Sequence, residues 1–249
     1  MVAVTHSLSA SAASALDLLR EGLAPDDAAR VEQAHDWARG LYGERVLGTR
    51  EPTWSHALGM ALIAASLRLD ADTRLAALCF AVGDVLSHPA DEITQRFGAH
   101  VAELVEGLRR LNGLRVVTHM TATTSAPEIR AQSEVLRKML LAMVEDIRVV
   151  LLRVASRTQT LRHYAEAETD ELRVQVARET LELYSPLANR LGVWELKWEL
   201  EDLSFRFLYP DTYKKIAKQL DEKRAEREQF ITDAVERLKG ELAAAGVHE

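Results

Sequence analysis

Apolar residues repeated at the spacing of an α-helix are the feature that most limits what this chain can fold into. In the clearest case, five residues fall on one stripe of a helix: Val101, Leu104, Val105, Leu108 and Leu111. Stripes of the same kind occupy further stretches, at residues 60–67, 75–82, 136–154, 194–208 and 213–242. They predict a chain of amphipathic helices that each bury one face, and therefore an all-α fold.

The composition agrees with a helical chain. Of the 249 residues, 12 are glycine and 6 are proline, together about 7% against roughly 12% in average proteins. Aromatic residues make up 6% of the chain, and the short alternations of β-branched residues that form strands are scarce. These observations exclude a β-sandwich or a β-barrel.

The charge balance limits the partners of the chain. The 31 basic and 38 acidic residues give a net charge of −7, which argues against nonspecific attraction to nucleic acid and leaves a local basic site open. The single cysteine, Cys79, excludes an internal disulfide and a site of several thiolates, and it favours a reducing compartment, the cytoplasm. No stretch approaches the roughly 18 consecutive apolar residues of a membrane span.

Several positions predict where helices begin and end. Residues 1–20 are expected to form a flexible tail, since the N-terminus is rich in Ser and Ala. Asp70 or Asp72 is the expected N-cap of a helix that forms an antiparallel hairpin with the preceding one. Pro186 donates no N–H, so a kink or a new helix is expected there. The threonine-rich segment Arg115–Ala126 is expected to be a mobile loop.

The helices near the C-terminus carry more than one apolar stripe. Trp194 and Trp198 lie on one stripe of the helix over residues 194–208 and leucines lie on another, so this helix is expected to pack on two sides. A last helix is predicted to begin near Asp211. Its mixed charges favour a solvated surface with i,i+4 ion pairs over a nucleic-acid-binding face.

Common catalytic motifs are absent from the sequence, but six phrases together carry a resemblance. There is no Gly-rich phosphate loop, HExxH, GxSxG or paired cysteine. The six phrases, in chain order, are Glu51-Pro52-x-x-x-His56, Leu75-Ala76-Ala77-Leu78, Phe97-Gly98-x-x-Val101-Ala102-Glu103-Leu104-Val105-Glu106-Gly107, the run from Arg137 to Arg148, the run from Ala177 to Gly192, and Lys197-x-Glu199-Leu200-Glu201-Asp202. They resemble the N-terminal region of the long RelA/SpoT family, bacterial enzymes that make and degrade (p)ppGpp.

This resemblance implies a fold, a domain plan and an activity. It implies an HD-domain-like helical bundle that continues into a further helical bundle, with a hydrolase-like domain over residues 21–165 and a helical linker plus the start of a synthetase domain over residues 166–249. The rest of the synthetase is expected to lie outside this chain, which would then be a fragment. In active members the HD domain removes pyrophosphate from the 3′ position of (p)ppGpp with a manganese ion.

The metal ligands of active members fall on unsuitable residues here. His56 keeps the first ligand position, whereas the His-Asp pair falls on Phe80 and Ala81 and the last Asp falls on Ser156. A Glu-Asp pair that handles the attacking water falls on Asp84 and on a valine. One imidazole holds a divalent ion weakly and leaves its water almost unactivated. The sequence therefore predicts a pseudo-hydrolase with no catalytic residues, no bound metal and no cofactor.

The retained polar residues have two interpretations. His56, Asp84, Arg157, Arg162 and Asn189 are candidates for vestigial nucleotide contacts. Structural roles are favoured for most of them: a hydrogen-bonded histidine at a helix start, a surface carboxylate, and ion pairs of the two arginines with Glu166, Glu168 or Asp146. The basic residue that contacts guanine in active members falls loosely on Leu47, with Arg45 or Arg50 as substitutes.

The predicted role is regulation of a GTP pyrophosphokinase in the stringent response. The expected partner is the synthetase domain of the same polypeptide, and a guanosine polyphosphate is a further candidate ligand. Binding to the ribosome is expected only through regions outside this chain, and no membrane contact is expected. Whether the chain forms a homo-oligomer is left open. Two alternatives remain, a nucleotide-binding sensor and a weak residual manganese-dependent ppGpp 3′-pyrophosphohydrolase.

Overall fold

The computed structural model describes residues 12–113, 146–166 and 171–244. These residues form eleven α-helices and no β-strand, which confirms the all-α prediction. The helices are α1 (Ala12–Arg20), α2 (Pro25–Tyr42), α3 (Thr53–Ser66), α4 (Ala71–Leu78), α5 (Pro89–Phe97), α6 (Ala99–Gly113), α7 (Ile147–Glu166), α8 (Glu171–Glu179), α9 (Ser185–Arg190), α10 (Trp194–Leu208) and α11 (Pro210–Ala244). No helix in this part of the chain is long and apolar enough to cross a membrane.

The core lies between four helices whose apolar stripes face one another. Helix α3 packs on α4 and α7, and α6 packs on α4 and α7. Met60, Leu75, Leu104 and Leu152 supply one fully or almost fully buried side chain from each helix, and each such burial stabilises the fold by about 1.5–3 kcal/mol. The stripe from residue 101 to 111 lies within α6 with its apolar side chains buried, as predicted.

Two predicted helix boundaries are confirmed in atomic detail. Asp70, rather than Asp72, caps α4, because its carboxylate accepts hydrogen bonds from the Thr73 amide at 2.8 Å and the Thr73 hydroxyl at 2.5 Å. At Pro186 a π-helix (Thr180–Tyr184) gives way to α9, which carries this proline in its first turn. The missing N–H of the proline explains the change of hydrogen-bond register.

Residues 12–20 are helical, which corrects this part of the tail predicted over residues 1–20; residues 1–11 lie outside the described residues. Helix α1 begins at Ala12, and Leu19 is fully buried in the core. The buried Arg74 side chain of α4 donates hydrogen bonds to the carbonyls of Leu19, Glu21 and Leu69 at 2.8–2.9 Å. The guanidinium thus satisfies carbonyls at the end of α1 that have no helical partner, an interaction that no local sequence pattern predicts.

The chain divides into two compact units, one through Ser204 and one from Phe205. The first unit extends past the predicted domain boundary at residue 165, because α8, the π-helix and α9 contact α7 or one another. The second unit contains α11, whose predicted start near Asp211 is confirmed. The apolar side chains of α11 are largely exposed, and they include Leu220 and Phe230.

The prediction that helix α10 packs on two sides is wrong. Leu196 and Leu200 are buried, but Trp194 and Trp198 are 54% and 56% exposed. One turn separates the two tryptophans, so together they form an apolar surface rather than a second buried stripe. The predicted loop Arg115–Ala126 and the first part of the helix predicted over residues 136–154 lie outside the described residues.

An ion-pair network joins the N-terminal ends of α4 and α7. Arg148 donates hydrogen bonds to Asp146 at 3.0 Å and to Asp70 at 2.7 Å, and it contacts His100. The hydrogen bonds from Arg148 lower the pKa of Asp146. Burial opposes ionisation of Asp70, but hydrogen bonds from Thr73 and Arg148 outweigh it and lower the pKa of this carboxyl as well.

This network predicts how stability depends on pH. A carboxyl whose pKa is lower in the folded state stabilises the fold above its unfolded pKa, about 3.9, and this contribution is lost as the pH falls through the folded pKa. Arg148→Met is therefore expected to lower the free energy of unfolding at pH 7 and to make its decline between about pH 5 and pH 2 shallower. Urea unfolding at several pH values measures both effects. Arg20→Met, at an exposed pair with Glu32, is the control and should keep the wild-type pH dependence; an equally steep decline in Arg148→Met would contradict the prediction.

Candidate functional site

A tight turn before α3 positions the first residues of the site. The Leu47 amide donates to the Glu51 carbonyl at 2.8 Å, and Arg50 adopts a left-handed conformation with φ 63°. Pro52 precedes the first residue of α3. Glu51 and His56 therefore lie on either side of the helix start, and both side chains point into the protein, with residue exposures of 1% and 2%.

The side chains of α3 and α7 meet in a buried hydrogen-bonded group of Glu51, His56, Ser156 and Gln159, named here the His56 cluster. Nδ1 of His56 lies 2.7 Å from Oε2 of Glu51, and Nε2 lies 2.9 Å from Oγ of Ser156. Gln159 donates from Nε2 to the other Glu51 oxygen at 2.7 Å. All four residues are buried, so each of these hydrogen bonds satisfies a group that water does not reach.

The hydrogen-bond partners of His56 determine which of its ring nitrogens donates and which accepts. A carboxylate only accepts, so Nδ1 carries the hydrogen that it donates to Glu51. Nε2 then accepts from the Ser156 hydroxyl when the ring is neutral, or donates to it when the ring is protonated. In either state no ring nitrogen keeps a free lone pair for a metal ion.

Phe80 and Ala81 follow α4, on the other side of His56. The Phe80 ring lies 5.0 Å from the His56 ring, measured between centroids. Tyr42 holds this segment in place, since its hydroxyl donates to the Leu78 carbonyl at 2.8 Å and accepts from the Ala81 amide at 3.2 Å. Cys79 in the same segment is fully buried, and burial raises the pKa of its thiol, so it is a core residue and not a nucleophile.

The residues present do not fit a manganese site. Phe80 and Ala81 carry no ligand atom, and Ser156 offers only a neutral hydroxyl that is already hydrogen-bonded to Nε2 of His56. Among the residues that the structure describes, no three His, Cys, Asp or Glu side chains are grouped so that they could hold a metal ion. A divalent ion needs several such ligands in a defined geometry.

The order of groups in the His56 cluster, carboxylate, imidazole and hydroxyl, is also that of a serine-hydrolase triad. Ser156, however, lies within the continuous helix α7 and is only 7% exposed. Backbone amides in a helix interior are used in helical hydrogen bonds, so the neighbours of Ser156 offer no donors for an oxyanion. The arrangement therefore serves to hold α3 against α7.

The structure places the other candidate contacts away from the His56 cluster or in ion pairs. Arg157 donates to Glu179 at 2.9 Å, and Arg162 donates twice to Glu199, at 2.5 and 2.8 Å. These partners come from α8 and α10 and differ from the nearby acids considered from the sequence.

Asp84, in a short 3₁₀ helix, and Asn189, in α9, are both exposed. Among the residues that sequence reasoning marked at the ligand positions, the structure thus brings together His56, Phe80 and Ser156.

Sequence reasoning missed two members of the His56 cluster, Glu51 and Gln159. Glu51 occurs in the first of the six phrases without a role being assigned to it, and Gln159 lies outside all six. The available signal was chemical: a carboxylate five residues before a histidine, across a helix start, can reach its ring. Gln159 had no such signal, since it lies 108 positions from Glu51 in the sequence.

Comparison with known proteins assigns the class. An HD domain matches residues 34–194, so the chain belongs to the HD-domain family. It is 37% identical to the bifunctional (p)ppGpp synthase/hydrolase SpoT of Escherichia coli K12 over 230 residues. This alignment covers 92% of this chain and 31% of SpoT. It is 42% identical over 190 residues to the GTP pyrophosphokinase of the same strain, or 76% of this chain and 25% of that protein.

The homology extends to a third protein and defines the subfamily. A GTP pyrophosphokinase of Photobacterium angustum is 37% identical over 185 residues, which is 74% of this chain and 24% of that protein. The chain corresponds to the N-terminal HD region of a RelA/SpoT family protein, which confirms the resemblance carried by the six phrases. It spans less than a third of the length of these relatives.

The close contact between Gly59 and Gln159 predicts the effect of one methyl group. A Cβ at residue 59 would overlap the side-chain amide of Gln159, so Gly59→Ala is expected to displace Gln159 from Glu51 and to destabilise the protein by about 2–4 kcal/mol. Gly40→Ala, also in a helix but with open space around the added methyl, is the matched control and should stabilise by up to about 1 kcal/mol. Urea unfolding compares the two, and equal effects would argue against a packed His56 cluster.

Proposed function

We propose that this chain is a regulatory pseudo-hydrolase, a catalytically inactive (p)ppGpp hydrolase-like domain that acts on the synthetase domain of a RelA-type GTP pyrophosphokinase in the cytoplasm. One observation carries the proposal. Of the residues that fall on the ligand positions of active members, His56 is hydrogen-bonded to Glu51 and Ser156 and faces the Phe80 ring, and this supports a site without a metal. Hydrolysis by this family needs an activated water, and these residues offer nothing to activate one.

A regulatory role follows from what is kept beside the lost ligands. The apolar core of α3, α4, α6 and α7 is intact, so the domain remains a folded body that can contact its neighbours. Helix α7 joins the His56 cluster to the following helices through two ion pairs, from Arg157 to Glu179 and from Arg162 to Glu199. In this proposal, a conformational change in the HD domain is transmitted to the synthetase domain through these contacts.

The first test measures hydrolysis. Incubation of the chain with ppGpp and Mn²⁺ is expected to release no pyrophosphate above the rate without protein, because too few ligands remain to hold the ion. SpoT under the same conditions is the positive control. Turnover comparable to SpoT would overturn the proposed inactivity and favour the alternative of a residual hydrolase.

Restoring the ligands gives a matched control for metal binding. The variant Phe80→His/Ala81→Asp/Ser156→Asp is expected to bind Mn²⁺, detected by electron paramagnetic resonance, more than about tenfold more tightly than wild type, since even outer-shell changes alter metal affinity by 10–100-fold. Equal Mn²⁺ affinity in the two proteins would show that the identity of these side chains does not control the site.

The second test addresses regulation. In a polypeptide that contains both this region and a synthetase domain, deletion of residues 21–165 is expected to change the rate of pyrophosphate transfer from ATP to GTP or GDP several-fold, as coupling energies of 1–3 kcal/mol produce. Gly59→Ala should shift the rate in the same direction, whereas Gly40→Ala should leave it unchanged. An identical rate with and without residues 21–165 would contradict regulation by this domain.

A further inference from the structure

Two arginines of α7 converge on one aromatic ring. Arg153 and Arg157 lie one helical turn apart, and their guanidinium carbons are 5.2 and 4.3 Å from the centroid of the Tyr184 ring. Tyr184 is the buried last residue of the π-helix. Two positive charges are thus brought to a single ring, an arrangement in which they repel each other unless an anion lies nearby.

Within the described residues, Glu179 is the carboxylate that pairs with these two arginines. Arg157 donates to Glu179 at 2.9 Å and more weakly to the Val176 carbonyl at 3.5 Å. Arg153 makes no hydrogen bond or ion pair with any residue in the part of the chain that the structure describes; its contact there is with the Tyr184 ring. The group of Arg153, Arg157 and Glu179 therefore carries one excess positive charge.

The surroundings make this excess charge costly. Burial lowers the pKa of Arg153, and the neighbouring Arg157 adds to the effect. The attraction between a guanidinium and an aromatic ring is smaller than the cost of desolvating a charge that has no counter-ion. Arg153 is nevertheless partly exposed as a residue, whereas Arg157 is buried.

The chemistry of the group selects the anion. A guanidinium offers paired N–H donors in a planar fork that matches the oxygens of a phosphate group. A diphosphate carries several negative charges, so it can form hydrogen bonds with Arg153 and also be attracted by the positive charge of Arg157 beside it. Arg153 and Arg157 contact Tyr184, whereas Ser156 and Gln159 on the same helix contact His56 and Glu51, so the two groups have different partners.

We propose that Arg153, with Tyr184 behind it and Arg157 as a second positive charge, binds the diphosphate group of a ligand. Because the site lies outside the His56 cluster, this inference goes beyond the proposed function and does not depend on it. A diphosphate site beside an inactive hydrolase centre would let the domain bind such a ligand without cleaving it.

Calorimetric titration of the whole chain with inorganic pyrophosphate and, separately, with GDP tests the site. At least one probe is expected to bind, and Arg153→Met, which keeps the apolar stem, should weaken that binding by about tenfold or more. Arg96→Met is the matched control, because Arg96 also lies over an aromatic ring, 5.2 Å from the centroid of Trp37, but already pairs with Glu92. The control should bind the probes as wild type does.

A second variant moves the affinity in the opposite direction. Glu179→Gln removes the one compensating carboxylate and is expected to tighten pyrophosphate binding several-fold, which a merely structural arginine pair would not do. This variant also tests the site if circular dichroism shows that Arg153→Met does not fold. Tighter binding then supports the site, and unchanged binding overturns it.

The two probes distinguish the sources of the diphosphate. Tighter binding of GDP than of pyrophosphate, lost in Arg153→Met, supports a site for a nucleotide, and tighter or equal binding of pyrophosphate supports a site for the free diphosphate. Absence of heat with both probes, or equal affinity in Arg153→Met and wild type, would overturn the proposal.

Discussion

Both ring nitrogens of His56 are engaged, Nδ1 by Glu51 at 2.7 Å and Nε2 by Ser156 at 2.9 Å. These two hydrogen bonds join the start of α3 to the middle of α7, across 100 positions of sequence. Breaking either one would leave a buried polar group without a partner, at a cost of about 1–3 kcal/mol. The contact of α3 with α7 therefore depends on protein groups alone, where active relatives of this family are expected to use a metal ion as well.

Helix α7 links this contact to other parts of the protein, because its polar residues have partners in several segments. Ser156 contacts His56, Arg153 and Arg157 contact Tyr184, and Arg162 donates to Glu199 on α10. A helix is stiff along its axis, so a displacement at one face moves the residues on the others. This stiffness gives the proposed regulatory role a physical basis, because a change at one part of α7 would displace the residues that contact the following helices.

Local patterns predicted the parts of the fold that depend on local physics. The stripe in α6, the cap at Asp70 and the interruption at Pro186 all follow from spacing and side-chain chemistry within a few residues. The contacts of Arg74 with α1 and of Gln159 with Glu51 join distant segments, and no spacing rule reveals them. The exposure of Trp194 and Trp198 was mispredicted for a related reason, since a stripe shows which residues share a face but not whether that face has a partner.

The replaced ligand positions follow the same rules of burial as the rest of the core. A histidine and two aspartates at residues 80, 81 and 156, without a metal, would be buried polar groups in need of new partners, each at a cost of about 1–3 kcal/mol if unsatisfied. Phe80 and Ala81 remove two of these groups and fill the space with apolar atoms, and Ser156 keeps one hydroxyl that His56 satisfies. Under the proposed inactivity, in which hydrolysis is not required, these residues would be more stable occupants of the site than unliganded metal ligands. In that proposal, the change of the ligand positions and the retention of the fold are two results of the same energetic preference.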